Sequence, residues 1–507
     1  MVSRRSTGIC CASRACWVRS SGSAGYRVHP RRRGGRGVKP VDLVVIGGGA
    51  GGLVVASVAG QLGLKVTLIE KTDRLGGDCL HHGCVPSKAL LHVARVAHTL
   101  RRADRAGLTA VEPEVSLAKV NACVRSAMET IQEHDDPDRF RSYGCEVIFG
   151  AARFLDPHTV EVEGRRLSGR RFVIATGSGP VVPPIPGLAE AGHVTHREIF
   201  SLPELPPRLL VLGGGPVGVE MGQAFARLGS RVTLLQRNRH LLPREDPELT
   251  EALRVCLEAE GLEVHTGVDV ERVGRDGAGV TVEAADGRCW EGDRLLVATG
   301  RRPQVEGLDL DVAGVEHGPR GIVVDRRQRT SRKHIFACGD VCGPHAFTHM
   351  AEYQAGIVIA NALFRIPRRA DYRIVPRVIY TDPELASVGM SEAEARERHG
   401  DVRILRFPFA QVDRSIVEGE TAGQIKLVVR RGRLLGAALL GAQAGELLHE
   451  LVLAMRVGAR IGDIAAAIHA YPTRSQIHRR AANTAYADRL FSPATRRLVR
   501  WLNRLPP

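Results

Sequence analysis

The chain is 507 residues long, which suits three to four domains of about 150 residues each. Its 44% hydrophobic content excludes a mainly disordered chain, and eleven cysteines at this length exclude a disulfide scaffold. The net charge of +16 is uneven: residues 1–40 hold nine arginines and Lys39 with no acid, so the overall charge does not argue for nucleic-acid binding.

Residues 1–37 are rich in Arg, Ser and Gly and lack apolar periodicity. Three readings are open: a disordered or misassigned start, a mitochondrial-type transit peptide, or a basic arm touching membrane or nucleic acid. Arg14 and Arg19 interrupt the apolar core that a secretory signal needs.

From Val41 the pattern changes. VDLVVIGGGAGGLVVASVAGQLGLKVTLIEK predicts a buried strand over 42–46, a glycine turn, a helix from about 51 to 62, and a strand over 65–69 closed by Glu70. The uncharged run 43–64 is long enough to cross a bilayer, but seven of its residues are glycine, so strand–turn–helix is the better reading. A second unit of this kind, RLLVLGGGPVGVEMGQAFARLGSRVTLLQ, occupies 208–236. Proline-rich stretches at 180–187 and 203–207 suggest linkers, and 263–300 alternates apolar and polar residues as a meandering sheet would. After about 366, VPRVIYTDPELASVGM and GQIKLVVRRGRLLGAALLG read as antiparallel strands, and 445–469 has helical spacing. The last segment, 485–507, mixes Leu490, Val499, Trp501 and Leu502 with Arg496, Arg497, Arg500 and Arg504. It reads as a solvated amphipathic helix, with a membrane-surface anchor as the alternative.

The glycine turns carry the first chemistry. Gly47, Gly49 and Gly52 form GxGxxG between strand and helix. The first glycine permits the tight turn, the second lets the backbone approach a pyrophosphate, and the third lets the helix pack on the sheet. The helix N-terminus offers free N–H groups to phosphate, and Glu70 is spaced to bind ribose hydroxyls. In the second unit, Gly213, Gly215 and Gly218 repeat the turn, but the position of Glu70 is taken by Gln236, followed by Arg237 and Arg239. A carboxylate there would repel the 2′-phosphate of NADP, whereas Gln with nearby arginines accommodates it. NADPH is therefore expected over NADH, although these arginines also suit a solvated loop. Two such sites imply two cofactors and hydride transfer between them.

GGDCLHHGCVPSKALL places Cys79 and Cys84 directly after the first unit. A metal site, a redox disulfide and a chance pair all fit that spacing. Structural zinc wants four ligands, and the glycines and following apolar helix make His81 and His82 a poor loop for it, so redox use is favoured and no metal site is expected. A thiolate near a helix N-terminus has a lowered pKa. Asp78 is expected either to raise the neighbouring thiol's pKa by repulsion or to cap the helix. His81 and His82 either aid thiolate formation or simply solvate a turn. Cys338 and Cys342 read as packed small residues, with a second redox pair as the alternative. Cys123, Cys145, Cys256 and Cys289 read as isolated thiols.

With these motifs in order, the chain resembles the class I pyridine nucleotide–disulfide oxidoreductases, a family of flavoproteins that includes dihydrolipoamide dehydrogenase, glutathione reductase and mercuric reductase. The resemblance covers about 41–487. It rests on the two turns, the GGxC-x4-C-x-PSK run, ATG at 175–177, ATGRRP at 298–303, TSRKHIFACGD at 330–340 and TDPELASVG at 381–389. It implies an α/β fold of two Rossmann-like dinucleotide-binding domains plus an α+β C-terminal dimerisation domain. The expected division is 1–37 basic segment, 38–180 FAD-binding domain (first part), 181–294 NAD(P)-binding domain, 295–365 FAD-binding and central part, 366–487 dimerisation domain, and 488–507 basic tail. The resemblance assigns Cys79 as interchange thiol and Cys84 as flavin-facing thiol. Lys88 is then the lysine near flavin N5, paired with Glu220, and Asp340 the acid that holds FAD. Gly177 and Gly300 belong to the two ATG cofactor motifs. A homodimer is implied in which each C-terminal domain completes the partner's site.

That completion is where this sequence departs. The dithiol and glutathione reductases of the family carry H-x-H-P-T-x-x-E. Here His469 keeps the first position, Tyr471 replaces the acid/base histidine and Gln476 replaces the glutamate that orients it. A phenol with pKa near about 10 is a poor base at neutral pH. Mercuric reductases also use Tyr there, yet their C-terminal cysteine pair is missing, since no Cys follows Cys342, and Cys10, Cys11 and Cys16 do not match their GMTCxxC metal-binding domain. The expected activity is electron transfer from NADPH through FAD and the Cys79–Cys84 couple to a disulfide, Hg(II) or similar soft electrophile. The alternatives are a quinone or dye reductase acting at the flavin, and a redox sensor or membrane-tethered module with slow turnover. No nucleic-acid partner is expected. The cytoplasm is the expected compartment, or the mitochondrion if the basic segment is a transit peptide.

Overall fold

A computed structural model describes residues 40–277 and 279–506. The readings of the basic segment 1–37, and of Cys10, Cys11 and Cys16, lie outside the described residues.

The first glycine unit sits in a five-stranded parallel sheet ordered Ile335–Ala337, Phe172–Ile174, Leu43–Ile46, Val66–Glu70, Cys145–Phe149. Its central strand is buried on both faces, as a parallel strand between helical layers must be. Leu43 and Val45 join the apolar cluster on one face, and Val44 and Ile46 the cluster on the other. The two-residue period of a strand alone produces that division. Burying one such aliphatic side chain is worth about 1.5–3 kcal/mol. A helix, Ala50–Gln61, follows the turn and ends where Gly63 takes a left-handed φ of +78°.

The second unit repeats the arrangement in a four-stranded parallel sheet ordered Glu263–Thr266, Arg231–Gln236, Arg208–Leu212, Arg294–Val297. Leu209 and Val211 face one core, Leu210 and Leu212 the other. The reading of 263–300 as one meander is corrected here. Only Val270–Asp276, Gly279–Ala284 and Cys289–Gly292 form the antiparallel meander, while the segments on either side are parallel strands paired within the second sheet. A boundary between 294 and 295 would divide Arg294–Val297, whose pairing with Arg208–Leu212 holds it in that sheet. Ser178–Pro180 pairs with Arg301–Pro303, so the residues just after the two ATG motifs form one antiparallel ribbon.

The C-terminal part is a five-stranded antiparallel sheet ordered Arg377–Ile379, Glu384–Gly389, Arg433–Gly441, Gln424–Arg430, Arg403–Pro408. Leu448, Leu451, Ile477 and Ala481 of the helices Ala444–Val457 and Gln476–Leu490 share its core. The helical stretch 445–469 is interrupted at Gly458, whose left-handed φ of +72° stops the first helix. The tail splits similarly, with Gln476–Leu490 packed on the sheet and Pro493–Leu502 carrying no buried residue. Among the described residues no helix is long and apolar enough to cross a membrane.

Candidate active site

The redox pair lies where two helices meet. Cys79 sits in the short helix Gly77–His81, and Cys84 opens the 18-residue helix Cys84–Arg101. This stretch is pinned to the first turn: Gly76 N–H donates to Gly48 O at 2.8 Å, and a Cβ on Gly77 would stand 2.7 Å from Gly49 Cα. Adjacent glycines at 76 and 77 are the local reason the thiols approach the nucleotide turn so closely.

The Thr348 hydroxyl connects the sulfurs, 3.0 Å from Cys79 Sγ and 3.4 Å from Cys84 Sγ. The pair shares its proton unequally. A hydrogen bond from Cys79 is the main force holding the Cys84 thiol down to about 6; Thr348 and the Lys88 charge assist and burial opposes. Cys79 is pushed well above the usual thiol range by donating to Cys84 and by burial. The thiolate therefore resides on Cys84, at the positive end of a long helix.

One helical turn further, Lys88 Nζ donates to Glu220 Oε2 at 2.8 Å and stands 4.4 Å over the Tyr380 ring. Glu220 is buried, and its Oε1 accepts from Tyr380 N–H at 2.9 Å. Burial works against the lysine's charge, but Glu220 overrides it and the Lys88 pKa is raised. Cys79, Cys84, Lys88 and Glu220 are thus brought together as expected. Thr348 and Tyr380 are further members. Tyr380 directly precedes the TDPELASVG run, a signal in plain view; Thr348 carries none.

The two nucleotide turns have matching geometry. Gly47 has φ +109°, and a Cβ there would stand 2.4 Å from Ala175 O; a Cβ on Gly52 would stand 1.9 Å from Gly47 O. Gly213 has φ +113° and would press on Ala298 O, while Gly218 would press on Gly213 O at 1.8 Å. Gly215 differs: its φ is −79° and nothing lies within 4 Å of its Cβ position, so no contact among the described residues demands glycine there. A backbone kept bare for a pyrophosphate meets that description. Glu70 Oε2 accepts from Gly48 N–H at 2.7 Å, and Oε1 accepts from Thr72 N–H and Oγ1 at 2.9 Å. Gln236 Oε1 accepts from Gly214 N–H at 3.0 Å, with Arg237 exposed beside it. Gly177 and Gly300 have φ of +72° and +148°, which explains glycine at both ATG motifs. Asp340 Oδ2 accepts from Ser178 Oγ at 2.6 Å. A continuous cleft joins Gly49, Glu70, Cys79, Lys88, Gly215 and Arg237, so the residues fit a dinucleotide at each turn with the sulfurs between them.

Asp78 behaves differently from the expected cap. It makes no side-chain cap, and its charge is met by partners other than its sequence neighbours. Instead Asp78 Oδ2 accepts from Arg301 Nη2 at 2.5 Å and lies 3.2 Å from His196 Nε2, with Arg197 Nε 3.8 Å from Oδ1. Burial opposes its charge, but His196 and Arg301 hold the carboxyl well below its usual range. His81 is not a base for the thiols either: it is buried, its Nε2 contacts Leu75 O at 2.8 Å, and burial lowers its pKa. Burial also lowers that of His82. Cys338 packs under Gly51, with burial pushing its thiol up to about 12, and burial raises Cys342 well above the ordinary value.

His469 and Tyr471 make no hydrogen bond to the redox pair of their own chain. His469 Nε2 lies 3.1 Å from Glu450 Oε1, and Tyr471 is 70% exposed.

Comparison with known proteins agrees with this geometry. Residues 41–355 match the model for pyridine nucleotide-disulphide oxidoreductases, and 375–482 match the dimerisation domain of that family. A dihydrolipoyl dehydrogenase from Thermus scotoductus is 41% identical over 87% of this chain and 96% of its own. A mercuric reductase from Staphylococcus aureus is 35% identical over 88% of this chain and 83% of its own. The HOCl-induced flavoprotein disulfide reductase RclA from Escherichia coli superposes with a TM-score of 0.80 at 30% identity, covering 87% of this chain and 99% of RclA. The chain belongs to the pyridine nucleotide–disulphide oxidoreductases, FAD-containing enzymes that depend on NAD(P)H, and carries their dimerisation domain.

Proposed function

We propose that this enzyme passes electrons from NADPH to a disulfide, Hg(II) or another soft electrophile through the Cys79–Cys84 couple. Bound FAD would supply two-electron transfer between the nicotinamide and the sulfurs, held by the first turn, Glu70, Lys88 and Asp340. The observation that carries the reading is the Thr348-bridged pair, with Cys84 opening a helix one turn before Lys88.

In the reduced pair Cys79 holds the proton and Cys84 the charge. With a disulfide acceptor, the Cys79 sulfur bonds one acceptor sulfur, the acceptor S–S bond breaks, and the first thiol leaves with the Cys79 proton. The Cys84 thiolate then attacks Cys79, closing the Cys79–Cys84 bond and releasing the second acceptor sulfur as a thiolate, which takes its proton from solvent. Two electrons leave the couple and two sulfurs of the acceptor are reduced. Lys88, fixed by Glu220, supplies positive charge beside Cys84 throughout.

Gln236 and Arg237 favour NADPH. The dimerisation domain supports a homodimer in which the partner brings His469 and Tyr471 toward this cleft. A quinone or dye reductase acting at the flavin is the second reading, favoured by Tyr471 at the position of the acid/base histidine. Leu498, Trp501, Leu502 and Leu505 recur at helical spacing on an exposed segment opposite Arg496, Arg500 and Arg504, which supports peripheral contact with an anionic membrane. Co-sedimentation with anionic vesicles should fall when 488–507 are removed; equal partition would end that reading.

The main test is Cys79→Ser assayed with NADPH against Hg(II), lipoamide, glutathione disulfide and a quinone. Turnover with the thiol-linked acceptors should vanish while NADPH still bleaches the flavin. Unchanged turnover with every acceptor would remove the sulfur couple from the reaction.

A further inference from the structure

Glu450, His469 and His478 come from three separate segments: the helix Ala444–Val457, the loop after Ile461–Ala466, and the helix Gln476–Leu490. One donor atom from each lies within 4.8 Å of the other two. His469 Nε2 is 3.1 and 3.2 Å from the two Glu450 oxygens, and His478 Nδ1 is 2.7 Å from Oε2. Both imidazoles are enclosed, whereas the Glu450 side chain is 35% exposed and leaves one side open.

The hydrogen bonds of His469 pose a problem of proton count. Its Nδ1 faces Ala467 O at 3.1 Å and its Nε2 faces the Glu450 carboxylate. Both partners only accept. A neutral ring carries one proton, so it can satisfy one of them and must aim a lone pair at the other. If Nδ1–H donates to Ala467 O, the Nε2 lone pair points at an anion. A proton on Nε2 or a metal ion between Nε2 and the carboxylate removes that conflict. Donation of the remote ring N–H to a backbone carbonyl is also the usual support of a metal-bound histidine. His478 Nδ1 converges on the same carboxylate, and Nε2 of that buried ring has no partner among the described residues. A zinc ion with bonds of about 2.0–2.1 Å spaces its ligands about 3.3 Å apart in a tetrahedron. Through Glu450 Oε2 two edges of the triad are 3.2 and 2.7 Å, the first close to that spacing and the second shorter, so the ion would widen the second.

We propose that Glu450, His469 and His478 form a site for a divalent transition-metal ion that favours imidazole, with Zn(II) or Cu(II) as its chemical class. The donors would be two neutral imidazoles and one carboxylate, with solvent at the open position. Binding releases to solvent any proton that the ligand atoms carry. The ion would fix the segment that carries Tyr471 without passing electrons itself. The three donors make no hydrogen bond to the sulfur couple of their own chain, and the proposal stands whichever acceptor the enzyme uses.

The test is titration of the full-length FAD holoenzyme with Zn(II) alone, in a Cys79→Ser/Cys84→Ser background that removes the paired thiols, with the triad variants as the control for binding at the remaining cysteines. One Zn(II) per chain should bind. Glu450→Gln and His478→Gln should each weaken it by more than the roughly 10- to 100-fold that loss of an outer-shell partner costs. Flavin absorbance and metal-free melting temperature would establish that each variant is folded; if one is not, His469→Gln replaces it. Cu(II) on the same protein should show electron-paramagnetic-resonance coupling to two imidazole nitrogens, reduced to one in His478→Gln. No saturable binding, or equal binding by folded wild-type and triad variants, would overturn the proposal and leave the three residues as a hydrogen-bonded cluster only.

Discussion

Glu70 and Gln236 do the same structural job in the two halves of the enzyme. Each closes the second strand of its unit, and each accepts the N–H of the middle glycine in its GGG run, Gly48 at 2.7 Å and Gly214 at 3.0 Å. The fold needs an acceptor oxygen at that position. Only the nucleotide is sensitive to whether the oxygen carries charge.

Gln236→Glu should therefore keep the fold and change the cofactor. The new carboxylate can still accept from Gly214 but repels a 2′-phosphate. Steady-state assays should show kcat/KM for NADPH falling by about tenfold or more, the equivalent of about 1.4 kcal/mol, while NADH improves. Equal efficiencies for the two cofactors in the parent enzyme would contradict the reading of Gln236 and Arg237.

Thr348→Val should alter the thiolate without moving it. The hydroxyl supports Cys84 in second place to Cys79, and hydrogen bonds to charged groups are worth about 1.5–3 kcal/mol. In reduced enzyme, the thiolate absorbance that titrates near 6 in the wild type should titrate about one pH unit higher. Cys79→Ala should raise it further, whereas Cys79→Ser keeps a donor and should raise it less. The sign for stability follows. A depressed Cys84 pKa adds stability that is fully present above the ordinary thiol value of 9.0 and is lost as pH falls through about 6.

Much of this site was open to reading from the chain because its signals are local. The two glycine turns, the strand periods around them and the Cys79–Cys84 spacing each lie within about thirty residues. What sequence could not disclose are contacts made across domains. Thr348 meets Cys79 across 269 positions, and Asp78 meets Arg301 across 223. Reading Asp78 as a cap failed because its partners in space, Arg301 and His196, are not its neighbours in sequence. The apolar alternation of 263–300 was misleading for a related reason, since alternation marks a strand but not the sheet it joins.

Asp78→Asn should destabilise the enzyme and loosen the ribbon formed by Ser178–Pro180 and Arg301–Pro303. Arg301 binds Asp78, Ser178 Oγ and Ser178 O together, so a lost charge leaves a half-buried guanidinium short of its counter-ion. Breaking a buried pair costs about 3–5 kcal/mol, and partial exposure of this one reduces the expectation to about 1–3 kcal/mol. Because the Asp78 pKa is depressed, its stabilisation is present above about pH 4, the ordinary carboxylate value, and disappears as acid protonates it. Urea denaturation at pH 7 should separate variant from wild type, and the gap should narrow in acid.

Lys88→Met tests the charge beside the couple. Glu220 would keep the Tyr380 N–H but lose its cation while remaining buried, a cost of about 2–3 kcal/mol. Stopped-flow absorbance should show NADPH reducing the flavin more slowly, and the Cys84 thiolate should titrate at higher pH. Loss of stability with neither change would make Lys88 a structural ion-pair partner only.

Tyr471→His, alone and with Gln476→Glu, asks whether the departure from the dithiol reductases sets the choice of acceptor. Among the described residues, Cys79 holds its proton tightly and no histidine is hydrogen-bonded to it. A dimer partner's imidazole could take that proton at neutral pH, where a phenol cannot, and general acid–base catalysis contributes about 10²–10⁴-fold. Lipoamide or glutathione-disulfide turnover should therefore rise by about tenfold or more in the double variant and acquire a new pH limb near the histidine range. Hg(II) turnover, which needs thiolate ligands rather than a proton shuttle for a leaving thiol, should change little. A rise in neither, with the flavin still reduced by NADPH, would mean that segment 469–476 does not reach the partner's thiols and that acceptors are served at the flavin instead.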